Sequence, residues 1–209
     1  AVAPLWLRGK FLSWIKRETE FAKSGRPAYI IAKMNSLCDK GIIAALYEAS
    51  AAGVKIDLII RGICCVKTGI PEVSENIRVR SIVGTFLEHS RIFCFGNGGN
   101  EEIYMGSADW MPRNLDRRVE ITFPVLDPSV RAKVSHILEV ELEDTVRARI
   151  MKMDESGQYE RIDKRGKEIV DSQDVFCKEA EAEAVRDDEN EGLQKQRVFE
   201  PLTAEDAQD

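Results

Sequence analysis

The segment from residue 28 to residue 61 constrains the fold of this chain more than any other. It begins with the apolar run "AYIIAKM" and ends with a second apolar run, "VKIDLIIR", and both are typical of buried strands. Between them, Asp39 can cap a helix that Gly53 ends, with apolar positions on one face at Ile42, Ile43, Leu46 and Tyr47. A strand, a helix and a strand in so short a stretch predict a right-handed βαβ unit with parallel strands.

Apolar patterns on either side extend this unit into a larger sheet. Residues 5–23 place apolar side chains at helical spacing, and the runs "NIRVRSIVG", "SRIFCF", "EIYMGS" and "RRVEITFPV" predict four further strands. The turn "NGGN" at residues 97–100 suits positive φ, which predicts an antiparallel hairpin between the second and third of these runs. Asp127 opens a long helix whose apolar face is expected to continue to Ile150. The predicted fold class is therefore α/β, a mixed β-sheet flanked by helices.

Charge divides the chain into a mildly basic body and an acidic end. Residues 154–209 contain 18 acidic and 8 basic side chains, whereas residues 1–153 contain 18 acidic and 22 basic ones. A basic body can bind phosphate-rich ligands although the whole chain has a net charge of -6, and the acidic end would repel them. We therefore predict one domain over residues 1–153, a small appended segment over 154–176 and an acidic, disordered tail over 177–209.

Composition and cysteine usage predict a cytoplasmic chain. With 44% hydrophobic and 32% charged residues, the chain falls among globular proteins, and no apolar run approaches the roughly 18 residues of a membrane span. The N-terminus lacks the basic start and long apolar run of a secretory signal. The five cysteines show no CxxC spacing, so we expect reduced, buried thiols; the adjacent Cys64 and Cys65 leave a metal or redox element as the alternative.

Polar residues follow both strands of the predicted βαβ unit. Lys33 and Asn35 come at the end of the first strand, and Arg61 comes at the end of the second. Ligands of parallel sheets gather beyond the carboxyl ends of the strands. A guanidinium can grip phosphate oxygens with two parallel hydrogen bonds while staying charged. Arg61, with no acidic residue close after it, is therefore a strong candidate for an anion-binding group, whereas a lysine at a strand end is commonly only solvated.

The motif "EHSR" supplies one of the two histidines of the chain. His89 and Arg91 lie two residues apart at the start of a predicted strand, so their side chains should share a face, and Ser107 could face them across the hairpin. A histidine that stabilises a phosphoryl group benefits from a fixed cationic neighbour; a hydrogen-bonded structural histidine is the alternative. The second histidine, His136, lies beside the apolar stripe of the long helix and is expected to be structural, and Trp110 is expected to anchor a loop rather than stack on a base.

The order of these motifs resembles a known superfamily and, over a longer stretch, a narrower known family. His-x-basic followed by Gly-Ser-x-Asp is similar to a half-site of the phospholipase D superfamily, which usually has His-x-Lys and a later Gly-Ser-x-Asn; Arg91 and Asp109 are departures from that pattern. The wider text resembles the last domain of the long-chain polyphosphate kinase family, from about Trp6 to Gln173 in unbroken order. The stretches that carry this likeness are "IIAKMNSLCD", "GIIAALYEASAAGVKIDLIIRGICC", "NIRVRSIVGTFLEHSRIF", "NGGNEEIYMGSADWMPRNLDRRVE" and "LEDTVRAR".

The resemblance implies a phospholipase D-like fold and an enzyme that transfers the γ-phosphate of ATP reversibly to inorganic polyphosphate, through a phosphohistidine and with Mg2+. Members of the family place two phospholipase D-like domains face to face across the active site, and the phosphorylated histidine and the Mg2+ ligands belong to the first. Only the second is expected here, in agreement with a chain that begins without methionine, as a piece of a larger polypeptide would.

Carried over by position, the resemblance implies contacts to ATP phosphates for Arg61, His89 and Arg118, with His89 as the catalytic group. A further set, the candidate polyphosphate path, consists of Lys33, Asn35 and Arg91. No residue of this chain is expected to bind metal. For Arg118, a salt bridge with a nearby acid is the alternative. The resemblance also implies ATP, ADP and polyphosphate as partners, without nucleic acid, the preceding domains of the same enzyme, and a homo-oligomer that associates with membranes.

Two other functions stay open at this point. A phosphodiesterase of the phospholipase D superfamily would need two such histidine motifs, from an internal repeat or a homodimer, and only one is present in this sequence. A non-catalytic module that binds polyphosphate or a nucleotide would need only the basic residues. Because the nucleophilic histidine is expected in a preceding domain, we expect this chain alone to bind ATP or short polyphosphate weakly and to show no turnover.

Overall fold

The computed structural model describes residues 1–190. Its strands are β1 (Val2–Ala3), β2 (Tyr29–Met34), β3 (Lys55–Ile60), β4 (Ile77–Ile82), β5 (Ile92–Phe95), β6 (Glu102–Gly106), β7 (Glu120–Pro124), β8 (Ala148–Met151) and β9 (Tyr159–Arg161). Its helices are α1 (Leu7–Lys23), α2 (Lys40–Ala51), α3 (Pro112–Arg117), α4 (Pro128–Glu143) and α5 (Ser172–Asn190), and a 3-10 turn covers Asn97–Gly99.

All the described strands join one mixed sheet in the order β1-β7-β6-β5-β2-β3-β4-β8-β9. The strands β2, β3 and β4 are parallel to one another, and the other pairings are antiparallel. The βαβ unit is confirmed, because β2 and β3 pair in parallel on either side of α2. The hairpin is confirmed as well, since β5 and β6 pair around the 3-10 turn, where Asn97, Gly98 and Gly99 have positive φ.

Side chains that alternate along the strands build a separate hydrophobic core on each face of the sheet. In β5, Phe93 and Phe95 pack in the core formed with α1 and α2, whereas Ile92 and Cys94 pack in the core formed with α4. Successive strand residues point to opposite faces, so a continuous apolar run is what a strand covered on both sides requires. The sheet is therefore a buried middle layer, and its polar groups concentrate at the strand ends.

The chain leaves α4 earlier than the apolar pattern predicted. The helix ends at Glu143, and the next residue, Asp144, has extended ψ and accepts backbone hydrogen bonds from Val146, Arg147 and Ala148 at 2.7–3.0 Å. Residues 148–151 then form β8, antiparallel to β4. Ile150, predicted on the helix, thus lies on a strand, because apolar side chains from two elements happen to continue one helical spacing.

The boundaries of the structure differ from those predicted at 153 and 177. Residues 1–173 form one compact unit and residues 174–209 are assigned to a second. The segment 154–176 is not an appendage, because its strand β9 extends the sheet beside β8. The predicted disordered tail overlaps α5, which is helical to Asn190, and its remaining residues, 191–209, lie outside those described. Close after Trp110, where the sequence predicted a loop, residues 112–117 form a helix, α3.

Within residues 1–190, none of the helices combines the length and the apolar character that crossing a bilayer would require.

Candidate functional site

One edge of the sheet collects most of the polar residues singled out by the sequence. The strands β2 and β3 end at this edge, and β5 and β7 begin there, because β5 runs antiparallel to β2 and β7 runs antiparallel to β6. We call it the carboxyl edge. Residues from five different parts of the chain lie along it: Asn35, Arg61, His89 with Arg91, Ser107 and Arg118.

Asp109 is the hub of the hydrogen bonds along the carboxyl edge. Its Oδ1 accepts from the backbone N–H of Asn35 at 2.9 Å and from Arg91 Nε at 3.1 Å, and the residue is only 2% exposed. The side chain of Asn35 in turn accepts from Arg61 Nε at 3.1 Å. Buried charge-assisted hydrogen bonds of this kind hold side chains in one geometry. Asp109, which stands where the Gly-Ser-x-Asn pattern has asparagine, is therefore the residue that connects these groups by hydrogen bonds.

Arg91 determines which nitrogen of His89 carries the proton. Its Nη1 lies 3.0 Å from His89 Nδ1 and also donates to the His89 carbonyl oxygen at 2.7 Å. A guanidinium can only donate, so Nδ1 must accept, and the proton of the neutral imidazole is on Nε2. His89 is exposed, so that Nε2–H can donate to a ligand. The two residues precede β5 rather than opening it, and their contact comes from this hydrogen bond instead of strand alternation.

Lys33 does not face solvent, which corrects its place in the candidate polyphosphate path. Its side chain is 2% exposed, and its ammonium lies 2.8 Å from Glu141 Oε1 of α4 and 3.1 Å from Glu88 Oε2. A buried cationic group needs polar partners, and here the carboxyl groups of Glu88 and Glu141 supply them. Lys33 lies on β2, before its last residue, and it points into the protein, so its ammonium is not available to a polyanion.

The carboxylates around Lys33 fix the segment that leads into His89. Burial raises the pKa of Glu141 to about 7, while hydrogen bonds from Glu141, Gln173 and Lys33 outweigh burial at Glu88 and hold its pKa below the usual value. Gln173 donates to Glu88 Oε1 at 2.8 Å and to the carbonyl oxygen of Phe86 at 2.9 Å. Lys33 and Gln173 are thus positioning residues for His89. No local sequence signal identifies this group, because its members come from four distant segments.

Arg118 is a largely exposed cation at the far end of the carboxyl edge. Its side chain is 55% exposed and its Nη1 is 4.0 Å from Glu120 Oε1, a separation at which an exposed ion pair contributes little. Glu120 is instead occupied by Asn114 Nδ2 at 2.8 Å and by the hydroxyl of Ser107. The Ser107 hydroxyl thus bonds to Glu120, while the preceding Gly106 donates its backbone N–H to the carbonyl oxygen of Arg91 at 3.2 Å. Arg118 remains able to bind an anion.

The glycine of the Gly-Ser pair has a packing role. A Cβ on Gly106 would lie 2.6 Å from the carbonyl oxygen of Ile121 and 2.6 Å from Thr122 Oγ1, because β6 and β7 approach closely there. Any larger residue would push the two strands apart. This glycine therefore permits the close approach of β6 and β7.

Trp110, which the sequence predicted to anchor a loop, has that role in the structure. Trp110 is fully buried, stacks on Phe93 with ring centroids 5.4 Å apart, and its carbonyl oxygen accepts from the backbone N–H groups of Cys38 and Asp39, so it anchors a loop. His136 is exposed on α4.

All five cysteines are free; Cys94 is buried, but Cys65 is exposed, which differs from the prediction of uniformly buried thiols.

The donor set of the carboxyl edge suits anions rather than metals. Arg61, His89 and Arg118 offer N–H groups, while the nearby carboxylates Asp109 and Glu120 are already engaged by other side chains. Mg2+ prefers oxygen ligands, so these residues do not fit it. Among the residues described, no group of three or more His, Cys, Asp or Glu side chains is arranged to hold a metal ion. The edge can bind phosphate oxygens by charge and by planar hydrogen bonding.

The comparisons with known proteins agree on one family. Residues 1–173 match the sequence model of the family described as polyphosphate kinase C-terminal domain 2. The chain is 50% identical over 173 residues to a polyphosphate kinase of Bacillus anthracis, covering 83% of this chain and 24% of that protein. It is 55% identical over 159 residues to a polyphosphate kinase of Pseudomonas putida, covering 76% of this chain and 22% of that protein. The chain thus spans about a quarter of the length of the curated relatives it matches.

Solved structures agree with this and extend the likeness in fold. The crystal structure of polyphosphate kinase from Porphyromonas gingivalis superposes with a TM-score of 0.79 at 42% identity, covering 88% of this chain and 28% of that one. Nuc, a phospholipase D family member from Salmonella typhimurium, superposes with a TM-score of 0.50 at 15% identity, covering 78% of this chain and 96% of that one. The second likeness concerns the fold alone, and it agrees with the predicted phospholipase D-like class.

Proposed function

The chain belongs to the polyphosphate kinase family, whose C-terminal domain 2 it contains, and from that premise we propose that its carboxyl edge is one half of an active site. The complete enzyme transfers the γ-phosphate of ATP reversibly to inorganic polyphosphate. The observation that carries the proposal is the single network in which Asp109 joins Arg91 and Asn35, and through them His89 and Arg61. It gathers groups suited to phosphate at the ends of three strands, β2, β3 and β5.

Each group has a role that its contacts support. Arg61, aimed by Asn35, and Arg118, largely exposed, bind phosphate oxygens of ATP. His89 donates its Nε2–H to an oxygen of the phosphoryl group in transfer and stabilises the charge there. Phosphoryl transfer needs mostly positioning and charge stabilisation, so these residues are sufficient for their half of the site. The nucleophile, a histidine that becomes phosphorylated, belongs in this proposal to the preceding domain.

Other parts of the proposal rest on family membership. Mg2+ would be held by the preceding domain and by the phosphates, because Asp109 and Glu120 are already hydrogen-bonded and the rest of the edge is cationic. When bound, the ion neutralises charge on the phosphates. The enzyme uses ATP, ADP and polyphosphate and is proposed to be a cytoplasmic homo-oligomer that can associate with membranes. Nucleic acid is not a proposed partner.

A histidine swap in the full-length enzyme tests the proposal. We expect His89→Ala to lower kcat for polyphosphate synthesis about 100-fold or more with the fold retained, since a positioned proton donor contributes roughly that much. His136→Ala, a change of the same type on the exposed face of α4, is the matched control and should leave kcat within about twofold. Near-normal synthesis by the His89→Ala enzyme would contradict the proposed role.

The isolated chain provides a second check. It should bind ATP weakly and transfer no phosphate, because the nucleophile lies elsewhere in the proposal. Arg61→Gln should weaken this ATP binding about tenfold or more, the effect of losing a charged hydrogen-bond pair. ATP-dependent phosphate transfer by the chain alone, or an acid-labile phosphate on His89, would favour a self-sufficient catalytic module. Hydrolysis of a phosphodiester would favour the phospholipase D alternative.

A further inference from the structure

A basic cavity lies beside the carboxyl edge, at the other end of the sheet from Arg118. It has a volume of about 440 Å³. Four of its lining side chains are basic, namely Arg147, Arg149, Arg161 and Lys164, and a single one is acidic, Asp171. That acid is occupied, because Arg147 Nε lies 2.6 Å from Asp171 Oδ1. The cavity is therefore strongly positive.

Two of these arginines face each other across a strand pair. Arg149 of β8 is the direct partner of Arg161 of β9, so both side chains lie on the same face of the sheet. Like charges directly opposite each other in an antiparallel pair destabilise it. Within the part of the chain that the structure describes, no carboxylate lies within ion-pair distance of Arg149, Arg161 or Lys164. An arrangement that costs stability and has no internal counter-charge fits an external anion.

The strand β4 connects the residues of the cavity with those of the site. Ser81 of β4 pairs with Arg149 of β8, and the Ser81 hydroxyl donates to the backbone carbonyl oxygen of Arg61 at 3.4 Å. From β3 to β9 the sheet advances three strands, which at about 4.8 Å per strand gives roughly 14 Å. A chain of three phosphates is shorter than this span, whereas a long polyphosphate can cover it.

We propose that Arg149, Arg161 and Lys164 form a binding subsite for the inorganic polyphosphate chain, leading away from the phosphate held at Arg61. The proposal rests on the proposed function, whose site it extends. Guanidinium groups bind successive phosphates with paired hydrogen bonds, and the polyanion relieves the repulsion between the two arginines. The subsite replaces Lys33 in the candidate polyphosphate path, because Lys33 is enclosed by Glu88 and Glu141.

Direct binding to the 209-residue chain tests this subsite. The probes are a long inorganic polyphosphate of defined length, tripolyphosphate and ATP, each measured by calorimetry at low salt. We expect the double variant Arg149→Gln with Arg161→Gln to weaken binding of long polyphosphate about tenfold or more, while ATP and tripolyphosphate binding change by about twofold or less. Its melting temperature should stay the same or rise, because a like-charge pair is removed.

A charge-matched control separates a specific subsite from general attraction. Lys16→Gln with Lys55→Gln also removes two exposed positive charges, on α1 and at the amino end of β3, and should leave all three affinities within about twofold. Three results would overturn the subsite: no effect of the arginine variant, an equal effect of the lysine variant, or a parallel loss of ATP binding. Arg61→Gln reports on the nucleotide site separately, so failure of the proposed function, seen as unchanged ATP binding in that variant, is distinguishable.

Discussion

Lys33 illustrates how much the surroundings of a single residue decide. By sequence it is a lysine near the end of a strand, two positions before Asn35, and solvation is the ordinary expectation. In the structure it lies between two carboxylates contributed from 55 and 108 positions further along the chain, Glu88 and Glu141. The charge that seemed available to a substrate instead holds the segment leading into His89.

The buried carboxyl of Glu141 makes stability depend on pH. Its pKa of about 7 lies above the ordinary value of 4.5, so between these values the folded state holds a proton that the unfolded state has lost. Stability should therefore fall as pH rises from about 5 to about 8. Glu141→Gln cannot lose that proton, and its stability relative to the unchanged protein should rise over the same interval, by up to about 3 kcal/mol.

Urea unfolding at several pH values between 5 and 8 measures this effect. Glu139→Gln, an exposed position on the same helix, is the matched control and should shift stability equally at every pH. A difference between Glu141→Gln and the unchanged protein that does not vary with pH would show that Glu141 is ionised throughout.

At the scale of elements, Asp144 stabilises the turn by which the chain passes from α4 into β8. Its side chain is fully buried and accepts from the backbone of residues 146–148 with one oxygen and from the backbone and hydroxyl of Ser172 with the other. Burial raises the pKa of Asp144, but the bonds from Ser172, Ala148 and Arg147 outweigh it and hold the pKa below its usual value of 3.8. One residue thus joins a helix, a strand and the beginning of α5.

Replacement of Asp144 should destabilise the folded state at this junction. Asp144→Ala leaves several buried donors without an acceptor, so we expect a loss of about 2–4 kcal/mol in the free energy of unfolding at pH 7. Because the folded pKa is depressed, the contribution of Asp144 is present above about pH 4 and is lost as pH falls below it, so the two proteins should converge in acid. Denaturant melts at pH 7 and pH 3 measure both effects.

Asp154→Ala is the control for that measurement. Asp154 accepts from the backbone N–H of Ser156 at 3.1 Å, but it is exposed, so its loss should cost much less stability than the loss of Asp144. Equal losses for the two variants would mean that burial of the Asp144 network adds nothing.

At the scale of the whole molecule, charge is distributed by unit. Residues 174–209 contain 12 acidic and 4 basic side chains, which leaves 24 acidic and 26 basic ones in the compact unit of residues 1–173. The unit that carries the carboxyl edge and the basic cavity thus has a net charge of +2, although the whole chain is at -6. Net charge acts on binding of polyanions through long-range attraction or repulsion.

A chain that ends at Gln173 should therefore bind long polyphosphate more tightly than the whole chain. We expect an increase in affinity of about threefold to tenfold at low salt, which disappears near 0.5 M salt, where the Debye length is only about 4 Å. Both hydrophobic cores lie within residues 1–173, so the shortened chain should still unfold cooperatively. Calorimetry over a salt series measures the difference, and a difference that persists at high salt would contradict a purely electrostatic origin.

Much of the fold was accessible from local patterns. The βαβ unit, the hairpin at residues 97–100 and most strands follow from hydrophobic periodicity and turn residues, which act between near neighbours. The end of α4 could not be predicted from local patterns, because the apolar spacing runs through Asp144 into β8 without interruption. The helix α5 was missed for a different reason, since a charged and weakly periodic segment resembles a disordered one in sequence.

For the site, sequence alone identified Arg61, His89, Arg91 and Arg118 as chemically suitable groups, and family resemblance supplied their suggested roles. Only the tertiary structure decided that Asp109 links Arg61, His89 and Arg91 and that Lys33 is buried. It also brought Arg149 and Arg161 into opposition beside the same edge. Local sequence determines what each segment forms because hydrogen bonding and side-chain spacing act over a few residues. Which side chains meet depends on strand order and register, and those are set by packing between segments far apart in the chain.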